Sequence, residues 1–364
     1  MFYHIILTER CNSKCTYCYE KSMKEFENKI SKKWHFEDSP IDTQINIKKL
    51  KNFIEKDKDP HIIFYGGEPL LQIEKIKQII DNIKAKYYIQ TNAKLIDQLP
   101  TKYLLKLEKI LISIDGNKKR TDQNRGKGTY NKVLQNIKLI RKKGYTGEIV
   151  ARITLIYPDI FKQVKHLINL NIFNSIHWQI DAGFYENDFN QKQFTKFTKQ
   201  YNKQITKLIN YWTKQIKKRK VLKLYPLLGI FESLYYKTPT KLRCGSGHSN
   251  YTITTNGKIS ACPIMNSIKE FYCGNLNSKK LKQIHCIEPC TKCKYYTICG
   301  GRCLYSNHAK LWPKSGEKLI CQTIIHLIKQ IQKQLPTIKK QIKKRKVKET
   351  DFKYLKYFGP EIIP

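Results

Sequence analysis

Cys11, Cys15 and Cys18 stand within ILTERCNSKCTYCYE, at the exit of the chain's first strand-like run. Spacings of three and then two residues bring three sulfurs round one small volume. That is the minimal cradle for a cubane iron–sulfur cluster, and it leaves one iron open for a further ligand. Zinc competes for such triplets, but it wants four protein donors, and no fourth Cys or His lies at a usual spacing; His35 is too distant in sequence. The loop lies 48 residues upstream of Gly66-Gly67-Glu68-Pro69. There two glycines let the backbone approach a ligand closely, and a carboxylate can accept a bond from an ammonium group. Taken alone, this string is a plain strand-to-helix turn.

A second cysteine block runs Cys290-x2-Cys293-x5-Cys299-x3-Cys303, with Cys321 beyond it and Cys244 and Gly257-x4-Cys262 before it. Cys290-x2-Cys293 by itself would serve a zinc ribbon. Cys273 and Cys286 fall outside the pattern. Twelve cysteines in a chain of intracellular character point to metal rather than to a disulfide framework.

The cysteine triplet and the Gly-Gly-Glu-Pro turn together resemble the radical S-adenosylmethionine (radical SAM) enzymes. The resemblance implies that S-adenosylmethionine chelates the open iron of a [4Fe–4S] cluster held by Cys11, Cys15 and Cys18. One-electron reduction then yields a 5′-deoxyadenosyl radical that abstracts substrate hydrogen. In that family the Gly66, Gly67, Glu68, Pro69 turn holds the cofactor's amino group, and Tyr17 suits an adenine contact. Ile89-Gln90-Thr91-Asn92 and Ile112-Ser113-Ile114-Asp115-Gly116 look like the ends of the family's third and fourth strands. Thr91 and Asn92 are read as cofactor contacts. Ser113 and Arg125 resemble the positions that meet the ribose and the carboxylate, where a guanidinium fork is suited. Asp115 and Asp181, also at strand ends, are candidates for substrate or proton handling.

The second block resembles the seven-cysteine SPASM extension. The resemblance implies two auxiliary [4Fe–4S] clusters, the outer on Cys290, Cys293, Cys299 and Cys321, the inner on Cys244, Cys262 and Cys303. Cys273 or Cys286 could complete the inner cluster, or its fourth iron could stay open for substrate. Auxiliary clusters offer an exit for the electron released when a substrate is oxidised, and a one-electron reductant such as ferredoxin or flavodoxin is implied as a partner. SPASM enzymes include peptide-crosslinking maturases and sulfatase maturases. The latter place an acidic base directly after the cysteine that here is Cys262, whereas Pro263 follows in this chain. That departure favours oxidative modification of some other peptide or protein side chain.

Elements that could position these groups alternate in type. Strand-like runs at Phe2–Leu7, His61–Tyr65, Tyr87–Gln90, Ile110–Ile114, Ile149–Ile156 and Ile176–Ile180 are separated by segments of helical period, such as Ile73, Ile76, Ile80 and Ile83. Strand and helix in turn mean parallel pairing with crossovers. The expected fold is α/β, a partial (β/α)6 barrel of the radical SAM type followed by a small cysteine-rich iron–sulfur domain. The 364 residues are expected to divide into a barrel (1–190), a helical bridge (191–242), an auxiliary-cluster domain (243–321) and a basic C-terminal helix and tail (322–364), with Pro336 interrupting the last helical run.

A net charge of +40 would attract nucleic acid, anionic lipid or an acidic peptide. Of 69 basic residues only nine are Arg, and lysines spread over solvated helix faces make no coherent stripe; 339–348 is the best local patch. An RNA-modifying radical enzyme and a non-enzymatic, zinc-containing nucleic-acid-binding protein are therefore the rival readings. The chain starts directly with a strand and has no apolar run long enough to cross a bilayer. The expectation is a cytoplasmic protein without a membrane partner.

Overall fold

FYHIILT, Phe2–Thr8, is buried at every residue and forms strand β1. A strand covered on both faces belongs in a parallel sheet flanked by helices, where it reads as a continuous apolar run. The computed structural model describes residues 1–18, 33–181, 189–310 and 312–358. Next come α1 (Ile47–Ile54), β2 (His61–Gly66), α2 (Ile73–Asn82), β3 (Lys86–Thr91), α3 (Thr101–Leu104), β4 (Leu107–Ser113), α4 (Lys118–Arg125), α5 (Thr129–Lys142) and β5 (Glu148–Leu155). They are followed by α6 (Ile160–Asn169), β6 (Ser175–Ile180), α7 (Gln191–Lys217), β7 (Lys223–Leu224) and α8 (Tyr225–Tyr236). Then come β8 (Asn250–Ile253), β9 (Lys258–Ser260), β10 (Tyr272–Asn275), α9 (Tyr296–Cys299), α10 (Leu304–Ala309) and α11 (Lys314–Lys343). All the expected strands form, with ends displaced by at most a few residues.

Two units divide the chain, Met1–Arg152 with Gly245–His285, and Ile153–Cys244 with Cys286–Pro364. In the first, the strand order is β10-β9-β8-β1-β2-β3-β4-β5. β1, β2, β3, β4 and β5 pair in parallel, with registers such as His4↔Ile63 and Ile110↔Ile149. α2 buries Ile76 and Ile79, and α5 buries Val133, Ile137 and Ile140, the spacing of one helical face.

Residues 243–321, expected as one domain, are shared between the units. β8 pairs in parallel with β1 from Phe2↔Asn250 to Ile5↔Ile253, and β9 and β10 extend it antiparallel. A buried His4 Nδ1···Asn250 Oδ1 contact of 2.8 Å ties the two strands. This hairpin therefore prolongs the parallel sheet.

In the second unit β6 pairs in parallel with β7 through Ser175↔Lys223 and Ile176↔Leu224. α7 buries Ile205, Leu208, Ile209, Trp212 and Ile216, as its period predicts. Along it packs α11, which runs unbroken through Pro336, contrary to the expected interruption. Buried Ile328 and Ile331 before the proline and Ile338 after it hold one face in place. Cross-links such as Gln334 Nε2 to Asn210 Oδ1 at 3.2 Å add to that packing, which outweighs the missing N–H. The tail is packed, with Phe352 stacked on Phe231 at 4.3 Å between ring centroids. Among the described residues no helix is long and apolar enough to cross a membrane.

Candidate active site

The exits of β1 and β2 are stapled together. Gly67 N donates to Thr8 O and Glu68 N to Arg10 O, both at 2.9 Å. A Cβ on Gly66 would lie 2.2 Å from Thr8 O, and one on Gly67 would lie 2.4 Å from Arg10 O. Gly66 also has φ +138°. The glycines thus admit the backbone that enters the Cys11–Cys18 loop.

Glu68 is fully buried and braces the third strand. Its Oε1 accepts from Leu70 N at 3.1 Å and Thr91 Oγ1 at 2.7 Å, and its Oε2 from Asn92 N at 2.8 Å. Burial pushes its pKa up to about 7, against the downward pull of those three bonds. A carboxylate offers about four acceptor positions, so one remains for a donor from outside. Asn92 reaches on with Nδ2 to Asn12 Oδ1 at 2.6 Å, Ser13 Oγ at 3.3 Å and Cys11 Sγ at 3.9 Å.

The far side of the loop is held by β4 and α4. Thr16 N donates to Asn124 O at 3.0 Å, and the Tyr17 hydroxyl donates to Asp115 Oδ2 at 2.5 Å. Arg125 forks onto the same carboxylate, Nε to Oδ2 and Nη2 to Oδ1, both at 3.0 Å. Its guanidinium lies 5.3 Å from the Tyr17 ring centroid, and its Nη1 is 4.0 Å from Cys15 Sγ. Burial would lower the pKa of Arg125, but the charge of Asp115 outweighs it, and the guanidinium stays charged. Asp115 is fully buried and also accepts from Asn124 Nδ2 at 3.2 Å. It is spent on orienting Arg125 and Tyr17, two residues the sequence placed against the cofactor. Ser113 ends β4 one pair from the Ile114 N–Arg152 O bond, and Pro69 opens a short 3-10 turn capped by Glu68. Asp181, half-buried after β6, belongs to the second unit.

Also in the second unit, Cys290, Cys293, Cys299, Cys303 and Cys321 line one cavity of about 260 Å³ with Tyr296, Tyr305 and Trp312. Left-handed Gly300 and Gly301 turn the chain between Cys299 and Cys303. Burial and neighbouring thiolates push Cys299 up to about 11 and raise Cys290 and Cys321. Such a set is stable as thiolates only around positive charge, which suits a metal cluster. Cys244 and Cys286 belong to the same unit, and Cys262 and Cys273 to the first. Among the described residues no three His, Cys, Asp or Glu side chains converge tightly enough for a single metal ion. A cubane distributes its thiolates over separate irons, and both donor sets fit that demand by their chemistry.

Residues 5–171 match the Radical SAM superfamily. The cysteine-type anaerobic sulfatase-maturating enzyme of Clostridium perfringens is 24% identical over 332 residues, 80% of this chain and 85% of that protein. A solved structure of native anSMEcpe with bound AdoMet superposes with a TM-score of 0.68 at 18% identity, covering 94% of this chain and all of that one. Streptococcus suis SuiB bound to the precursor peptide SuiA gives a TM-score of 0.54 at 16% identity over 87% of this chain and 74% of that chain. The region matched to the radical SAM superfamily contains both the cysteine loop and its stapled glycine turn, so the match falls on the part of the chain that carries the site.

Proposed function

We propose that this enzyme oxidatively modifies a side chain of a peptide or protein. The observation that carries the reading is the gathering of five cysteines round one cavity in the second unit, in addition to the radical-type loop. A hydrogen-abstracting enzyme needs no second cysteine set for radical formation alone, whereas a net oxidation must dispose of an electron. The relatives named for sulfatase maturation and for a precursor peptide support a peptide substrate.

In this reading Cys11, Cys15 and Cys18 hold a [4Fe–4S] cluster, and Gly66–Pro69, Thr91, Asn92, Ser113, Tyr17 and Arg125 receive S-adenosylmethionine. Bound there, the pair supplies a 5′-deoxyadenosyl radical. Glu68 offers its remaining lone pair to the amino group and holds the Asn92 backbone in place. Arg125 is pre-aimed by its two bonds to Asp115, so its Nη1, which donates to Cys15 Sγ, presents a fixed positive charge there. Pro263 follows Cys262 and opens a 3-10 turn, so no carboxylate stands at the position where sulfatase maturases keep a base. Formylglycine formation is accordingly not the proposed outcome. The +40 charge favours an acidic substrate segment or an acidic one-electron donor of the ferredoxin or flavodoxin type.

The test is anaerobic turnover with S-adenosylmethionine and dithionite on synthetic Cys-, Ser- and aromatic-containing peptides with acidic flanks. The readouts are 5′-deoxyadenosine and a substrate mass lower by about two hydrogens. Peptide-dependent turnover with that mass loss is expected. Turnover stimulated by RNA and by none of the peptides would replace the reading with the RNA-modifying one.

A further inference from the structure

The sequence pattern leaves two surplus cysteines, and the structure distinguishes them. Cys273 lies in β10, where its Sγ donates to Phe271 O at 3.7 Å and its charged neighbour is Lys282. Cys286 is embedded in the cysteine-rich turn of the second unit. Its Sγ is 3.9 Å from Gly301 O, and a Cβ on Gly301 would come within 2.4 Å of that sulfur. The chain between Cys299 and Cys303 is thus folded around the Cys286 sulfur, with Gly300 and Gly301 at φ +75° and +89° to allow it.

The next residue is fastened at two points. Ile287 N donates to Asn307 Oδ1 at 2.6 Å, and Asn307 Nδ2 donates to Ile287 O at 3.0 Å. Asn307 stands one turn beyond Cys303 on α10, its own N–H bonded to Cys303 O at 3.0 Å, and its side chain also bonds the Cys290 thiol. Asn307 therefore ties Ile287, the residue after Cys286, to Cys290 and Cys303. The charges that Cys286 meets are those of Cys290, Cys303, Cys244 and Cys299. Further sulfurs thus neighbour the Cys286 sulfur inside the turn that folds over it, the setting a cubane asks of its ligands.

We infer that Cys286 is a thiolate ligand of the auxiliary cluster held by Cys244 and Cys303, filling the position that the seven-cysteine pattern leaves vacant. The inference rests on the auxiliary clusters that the resemblance implies and on the proposed oxidative role of the second cysteine set. Its consequence is that this cluster has no iron open to substrate. The peptide is then held by protein side chains alone, and the cluster acts only in electron transfer. A full set of thiolates also adds negative charge, which lowers a cluster's potential.

The experiment uses anaerobically reconstituted full-length enzyme with Cys286→Ala, Cys286→Ser and Cys273→Ala variants. It measures iron and sulfide per chain, the electron paramagnetic resonance of the reduced auxiliary clusters, and their response to added imidazole. The parent should hold about twelve irons, since three cubanes hold four each, with auxiliary signals indifferent to imidazole. Cys286→Ala should either lose about four irons or keep them with auxiliary signals that shift on imidazole addition. Cys286→Ser should retain iron with an altered signal, which a purely packing role would not produce. Cys273→Ala should match the parent. Cys286 variants with parental iron content, signals and imidazole indifference would overturn the assignment. A parent holding only about four irons would overturn it together with the auxiliary clusters, a distinct result.

Discussion

Asp115 is the residue whose two readings differ most, as a proton-handling group from its strand-end position or as the anchor of Arg125 and Tyr17. Asp115→Asn and Asp115→Ala separate them. The carboxylate is fully buried and takes both forks of a guanidinium that is only 7% exposed. Removing one partner of a buried pair costs about 3–5 kcal/mol, because the other charge is left uncompensated. Asn keeps one acceptor oxygen, so Asp115→Asn should sit near the lower end of that range. Asp115→Ala also strands the Tyr17 hydroxyl and should exceed Asp115→Asn by about 1–3 kcal/mol. Arg125→Met combined with Asp115→Ala removes both charges, so the double variant should be more stable than the sum of the singles by about 2–3 kcal/mol. Urea unfolding followed by far-ultraviolet circular dichroism reads these values, and iron content and 5′-deoxyadenosine formation are measured alongside. Loosening of the loop should lower iron occupancy at the first site in proportion to the lost stability. The reasoning is refuted if Asp115→Asn unfolds within about 1 kcal/mol of the parent, with iron and S-adenosylmethionine binding intact, and yet abolishes turnover.

Glu68 carries a pH signature. Its folded pKa of about 7 lies above the ordinary 4.5, so the native state holds the extra proton. Its stabilising share is complete below about pH 4.5 and is lost as pH rises to about 7, at up to about 1.4 kcal/mol per pH unit. Glu68→Gln should flatten that part of the stability profile, and should remove the gain in S-adenosylmethionine affinity expected in the parent as the carboxylate ionises. Isothermal titration between about pH 6 and about pH 8 would detect either failure. Gly67→Ala sets a Cβ 2.4 Å from Arg10 O and 2.6 Å from Glu9 O, so the cysteine loop must move. Iron should fall by about four per chain, the content of one cubane, while auxiliary signals persist; unchanged iron would contradict the stapling argument. Pro336→Ala restores an N–H inside α11 and should stabilise the protein by about 1–3 kcal/mol, with no gain meaning that the helix has already adapted to its proline.

What was legible in the sequence was local. Thiolate spacing over eight residues from Cys11 to Cys18, strand runs of four to eight residues and the apolar face of α7 are set by neighbours along the chain, and each carries its own physical signal. The proposed radical site could be read there because cluster ligation itself demands short spacings. The Gly-Gly-Glu-Pro turn was legible as a partner of that loop, but not the reason for its glycines. Only folding brings Arg10 O against Gly67 across more than fifty residues of chain.

The same distance hid the work of Asp115, whose partners Tyr17, Asn124 and Arg125 come from a loop and a helix on separate parts of the first unit. It also hid the pairing of β8 with β1, two strands some 250 residues apart. Pro336 misled the local reading because a proline's cost is local, whereas the burial that overrides it comes from another helix. Cys273 and Cys286 are alike as letters beside the cysteine pattern. Tertiary packing decides between them, because a ligand is defined by which sulfurs and charges surround it, and spacing in the chain specifies that only when the ligands are close in sequence.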